Sequence, residues 1–209
     1  MKGDLNGAIE EFHLALELNP DNADTHYNLG LALLQQNKLG TAIAELREAM
    51  RLRPNIASYH YSLSLALRKQ GKTDEAATEL KNYLAAQKAE TADRRARIHD
   101  SKGQQLAERG DVAGAISNFQ AAVEAEPNSA QAHNNLGVAL IMEGDLAGAI
   151  AQFREAIRLD PSHGRAHYNL AQALWRQGKR REARTEIEEA LTLDKNLKPP
   201  PEAWATHPN

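Results

Sequence analysis

The 209 residues include no cysteine. Disulfides, thiolate metal sites and cysteine nucleophiles are therefore excluded. Valine occurs only 3 times, and aromatics make up 5% of the chain. Strands draw on β-branched and aromatic residues, so a sheet-based fold lacks its raw material. There is no run of about 18 apolar residues, and hence no segment that reads as a membrane-spanning helix. Neither charge predominates: 25 Lys and Arg face 28 Asp and Glu, a net of -3. A general nucleic-acid surface needs clustered cations. Neither nucleic acid nor a membrane is an expected partner. What the chain has is alanine, 36 times, and leucine, 26 times. Both favour helix.

The order of these residues repeats. His26-x-x-Leu29-Gly30 returns as His133-x-x-Leu136-Gly137. It returns in weaker form as His60-x-x-Leu63-Ser64 and His167-x-x-Leu170-Ala171. A second block follows each time: Ala42-x-x-x-Leu46, Ala76-x-x-x-Leu80, Ala115-x-x-x-Phe119, Ala149-x-x-x-Phe153 and Ala183-x-x-x-Ile187. Ala8-x-x-x-Phe12 precedes them all. Pro20, Pro54, Pro127 and Pro161 close units, and the spacing within each of the pairs 20/54 and 127/161 is 34. Leu29, Leu33, Ala42, Leu46 and Ala49 fall at helical spacing and make one apolar stripe per helix. Gly30, Gly103 and Gly137, with the recurring alanines, leave room for a second helix to come close. Gly71, Gly110, Gly144 and Gly178 fall between the helices, where a left-handed turn residue is needed.

This pattern resembles the tetratricopeptide repeat family over nearly the whole chain. The units are 23–56, 57–90, 96–129, 130–163 and 164–197, with a half repeat at 1–22, an insertion at 91–95 and a proline-rich tail at 198–209. The resemblance implies an all-α fold, a right-handed superhelical solenoid of antiparallel helix pairs. One pair cannot bury its own apolar face, and stacking neighbours do so.

The second and third units depart most. Lys88 replaces the closing proline, Tyr83 stands where the other units have alanine, and Lys102 replaces a leucine. Without the proline, the helix from about Asp74 is expected to run past Leu84, with Thr91 or Asp93 capping the next one. A longer helix with unbroken stacking is the plainer expectation. A local change in superhelical pitch, or a joint between two sub-arrays, is the alternative. The start inside a repeat predicts a fragment of a longer array, or an end that pairs with something. Trp204 is a candidate to fold back on the last helix, against a free tail.

The resemblance places the first helix of each unit on the concave face. The expected peptide-binding residues there are Tyr27, Asn28, Tyr61, Ser62, Arg97, Asn134, Asn135, Arg165, Tyr168, Asn169, Gln172 and Arg176. Asn28, Asn135 and Asn169 share one place in their units, and Ser62 and Ser101 fill it elsewhere. An amide both donates and accepts, so a row of them suits a peptide backbone. This is similar to the asparagine ladder in the repeats of O-linked N-acetylglucosamine transferases. The alternative is that asparagine is simply common at an exposed polar place. A carboxylate clamp of the co-chaperone kind is not expected, because Asp100 stands where that clamp needs a lysine and would repel the ligand. Inner-face arginines outnumber acids, which points to a mildly acidic ligand.

His26, His60, His99, His133 and His167 recur but are not expected to bind metal. Stacked repeats hold equivalent atoms about 10 Å apart, whereas metal–nitrogen bonds are about 2 Å. No phosphate loop or nucleophile constellation is present, so neither a cofactor nor catalysis is expected. The expected function is a non-enzymatic scaffold holding an extended partner segment. A substrate-recruiting segment of a larger enzyme, such as a glycosyltransferase, is the second reading. Self-association through bare repeat ends is the third. The lack of a signal peptide predicts a cytoplasmic protein, unless one lies upstream.

Overall fold

The computed structural model describes residues 4–198 as ten α-helices, with no strand among them. They are α1 (Leu5–Leu18), α2 (Ala23–Gln35), α3 (Leu39–Leu52), α4 (Ala57–Lys69), α5 (Thr73–Glu108), α6 (Val112–Ala125), α7 (Ala130–Glu143), α8 (Leu146–Leu159), α9 (Gly164–Arg176) and α10 (Arg180–Leu193). Trp204 lies outside the described residues.

Local chemistry sets many of the helix ends. Asp4, Asp111 and Asp145 each accept a bond from the backbone N–H three residues on, at 3.0, 2.9 and 2.9 Å. Such caps contribute about 0.5–2 kcal/mol each. Asn22 and Ser129 cap α2 and α7 in the same way. Helices α3 and α8 stop two residues short of Pro54 and Pro161, as a proline requires of the residues before it. Gly144 closes α7 at φ 97°, a conformation that costs a side-chain-bearing residue about 1–2 kcal/mol.

The chain divides into two compact units, residues 1–91 and 92–209. In unit 1, α2 pairs with α3, and α1 and α4 flank them. Its core includes Leu29, Leu33, Ile43, Leu46, Leu63 and Leu67, each at most 5% exposed. In unit 2, α7 pairs with α8 and α9 with α10, while α6 flanks α7. Phe119, Leu136, Ile150, Phe153, Leu170 and Leu174 are its main buried side chains. Each such residue contributes about 1.5–3 kcal/mol by leaving water. The helix-pair glycines act as expected. A Cβ on Gly30 would come within 2.8 Å of Leu46, and one on Gly137 within 2.5 Å of Phe153.

Helix α5 runs past Leu84, as expected without a closing proline, and corrects only the expected cap at Thr91 or Asp93. It is continuous for 36 residues, and the insertion 91–95 lies inside it. Neither Thr91 nor Asp93 caps a helix. Thr91 donates to the Gln87 carbonyl at 2.8 Å, and Asp93 pairs with Arg97 one turn on at 2.8 Å. With no proline at Lys88, nothing forces a break. The boundary between the two units falls between Thr91 and Ala92.

Candidate functional site

The expected site residues fall into two sets, one per unit. In unit 1, Tyr27 stacks on Tyr59 with ring centres 4.6 Å apart. The Tyr27 hydroxyl bonds Ser62 Oγ at 3.1 Å. Tyr59, 2% exposed, donates to Asp24 at 2.6 Å, and Arg53 holds the same carboxylate at 3.0 Å. Asn28 is exposed. Tyr61 is 44% exposed and leans on Tyr83, with ring centres 5.1 Å apart.

Unit 2 is polar. Asn135 donates to Asp100 at 2.6 Å and accepts from Gln131 at 2.7 Å. Asn169 donates to Asn134 at 2.9 Å. Gln104 adds a second bond to Asp100, at 2.8 Å. A cleft of about 330 Å³ lies here, with Asp93, Arg97, Asp100, Gln104 and Glu126 in its wall. Three carboxylates thus face one guanidinium, and that guanidinium is already paired with Asp93. Arg165 and Arg176 are exposed on α9, with Tyr168 and Gln172 half-buried beside them.

Two expected contact residues are corrected. Ser62 is 5% exposed and Asn134 is 4% exposed. Both lie beneath the face and hold their neighbours. The bonds Tyr27–Ser62, Asp100–Asn135 and Asn134–Asn169 each join residues 35 apart. That is one repeat plus one residue, so the fifth place of one repeat bonds the sixth place of the next. Reading the sequence at an offset of 35 as well as 34 would have found these pairs.

The histidines serve the same purpose. His26 Nε2 meets the Pro20 carbonyl at 2.8 Å, and Nδ1 meets Glu45 at 2.7 Å. The same two acceptor types meet His60 (Pro54, Glu79) and His167 (Pro161, Glu186). His133 meets Pro127 and Gln152. Each ring therefore ties one helix pair together and joins it to the turn before it. At His26 both partners are oxygens without a proton to give, so both bonds form only when the ring carries two protons. Burial opposes that charge. The bonds to Glu45 and Pro20, and the charges of Glu45 and Glu48, outweigh it and raise the His26 pKa. The sign follows from linkage. This contribution is whole below about pH 6.5 and is lost as pH rises through the higher folded value. Thermal unfolding of wild type should therefore occur at lower temperature at about pH 8 than at about pH 6. Glu45→Gln should shrink that difference, and an unchanged difference would count against the bridge.

A tetratricopeptide repeat model matches residues 27–93 and 101–164. The chain belongs to the tetratricopeptide repeat family. Further tetratricopeptide repeat models match residues 2–37 and 140–205. Among solved structures, the P58(IPK) TPR domain is 23% identical, covers 94% of this chain with 57% of its own, and has a TM-score of 0.50. That likeness supports the fold. YrrB, described as a TPR protein with an unusual peptide-binding site, is 24% identical over 90% of this chain and 94% of its own, at a TM-score of 0.46. The TPR2AB domain of yeast Sti1, in complex with pHSP90, is 23% identical over 92% and 85%, at 0.48. No curated protein matches the sequence. No helix among the described residues is long and apolar enough to cross a membrane.

Proposed function

We propose that the chain is a non-catalytic scaffold that holds extended partner segments on the first-helix faces of its repeats. The observation that carries this is the set of bonds 35 residues apart, which within each unit join side chains of successive first helices. Holding those side chains in advance lowers the ordering cost of binding. Asn135 keeps a second amide hydrogen and Asn169 keeps its carbonyl oxygen, so each has bonding capacity left for a peptide backbone. The two faces differ in chemistry. Unit 1 offers Tyr27, Asn28 and Tyr61, which suit apolar or aromatic segments. Unit 2 offers Asn135, Asn169, Arg165, Tyr168, Gln172 and Arg176. The preference for acidic ligands belongs to the α9 side, because the cleft at Asp100 is lined mainly by carboxylates.

The test is a peptide array probed with the purified protein. Asn135→Ala combined with Asn169→Ala should weaken binding to retained peptides by about tenfold. That corresponds to two net hydrogen bonds of about 0.5–1.5 kcal/mol each. Circular dichroism should confirm that the variant stays helical. An array pattern and affinities identical to wild type would end the asparagine reading.

A further inference from the structure

One helix pair carries an open seat. In the other full repeats the central apolar residue of the second helix is covered: Leu46 is 0% exposed, Phe119 4%, Phe153 0% and Ile187 6%. Its equivalent on α5, Leu80, is 43% exposed, and Leu84 one turn on is 56% exposed. A cleft of about 280 Å³ lies between α4 and α5, lined by Tyr61, Leu65, Arg68, Ala76 and Leu80 among others.

The rest of the chain shows what fills such a seat. Leu63, Ala66 and Leu67 of α4 pack over Ile43 and Leu46. Leu170, Ala173 and Leu174 of α9 pack over Ile150 and Phe153. The occupant is each time a helix bearing Leu-x-x-Ala-Leu. Where the next repeat in sequence would carry those residues it has Lys102, Gln105 and Leu106, and both Lys102 and Gln105 are exposed.

The seat also has a charge. Leu34 joins the cluster around Leu67, and Ile141 joins the one around Leu174. The residue at that place on α4 is Arg68, exposed and followed by exposed Lys69. We infer that the α4–α5 seat receives an amphipathic helix of a partner protein, with Leu-x-x-Ala-Leu on its apolar face and acidic residues beside the second leucine. The α5 segment of a second copy is a poor occupant, since it would press Lys102 onto Leu80 and bring like charge to Arg68. This seat goes beyond the proposed peptide faces: it shares Tyr61 with the unit 1 face and has no residue in common with the face of unit 2.

The probe is a fluorescein-labelled peptide with the α9 sequence Gly164–Arg176, carrying Trp175→Glu and Arg176→Glu. Its control carries Lys at both places. Fluorescence anisotropy with the full chain should show saturable binding that favours the acidic peptide. Leu80→Glu should weaken it by at least about tenfold, the loss expected when one leucine contact is removed. Arg68→Glu should reverse the preference between the two peptides. Leu80 is half-exposed, so circular dichroism should show the variant folded. Asn135→Ala with Asn169→Ala should bind the peptide as wild type does, which separates this seat from the faces in unit 2. Absence of saturable binding, indifference to peptide charge, or indifference to Leu80→Glu would overturn the inference. So would a wild-type dimer that Leu80→Glu converts to monomer, because a second copy would then hold the seat.

Discussion

Phe153→Ala should destabilise unit 2 by about 3–5 kcal/mol, the cost of truncating a fully buried aromatic. The ring is 0% exposed and lies among Ile150, Leu170, Ala173 and Leu174. Its removal loses the transfer free energy of the ring and leaves a void that two helix pairs line. A loss of that size approaches the whole stability of many domains, about 5–15 kcal/mol. The same ring explains Gly137, where a Cβ would stand 2.5 Å from Phe153 Cε1. Gly137→Ala alone should therefore cost about 1–3 kcal/mol, the usual penalty of overpacking. In the Phe153→Ala background the added methyl has room. There the change should be neutral or gain up to about 1 kcal/mol, because alanine outranks glycine inside a helix. Denaturant unfolding of the four proteins gives the coupling directly. An equal cost of Gly137→Ala in both backgrounds would refute the packing account.

Tyr59→Ala should cost unit 1 a similar amount, about 3–5 kcal/mol. The ring is 2% exposed and stacked on Tyr27. Tyr59→Phe isolates the hydroxyl. That bond to the Asp24 carboxylate should be worth about 1.5 kcal/mol, near the low end for charged partners, since Arg53 still holds Asp24. Burial pushes the Tyr59 phenol up to about 12, and the bond to Asp24 and its negative charge push the same way. A folded value above the ordinary one, about 10, means this stabilisation is whole below about pH 10. It is lost as pH rises through about 12. Thermal unfolding across that range should fall more steeply for wild type than for Tyr59→Phe. Parallel curves would show that the buried phenol does not govern the alkaline loss.

Much of this was legible from single residues. Gly30 and Gly137 announce close helix contacts because only glycine leaves the space. Pro54 and Pro161 announce helix ends because the ring bars a regular helix before it. The histidine series was legible as regular but not as a bridge. The carbonyl and the carboxylate that His26 meets come from different parts of the chain, 6 and 19 residues away. Ser62 and Asn134 read as surface residues because their places in the repeat are usually polar. Polar residues can still be buried when a neighbour satisfies them, here Tyr27 and Asn169.

By itself, the sequence determined the helix pairs, their period and the apolar stripe each one buries, because these depend on spacings of three and four residues along one helix. Only the tertiary structure decided which polar side chains are spent on one another and which remain for a ligand. It alone placed Asn135 on Asp100 and left Leu80 uncovered. The physical reason is that a hydrogen bond or a covered leucine needs two elements brought together. Residue order states what each element offers, and packing decides which offers are taken up.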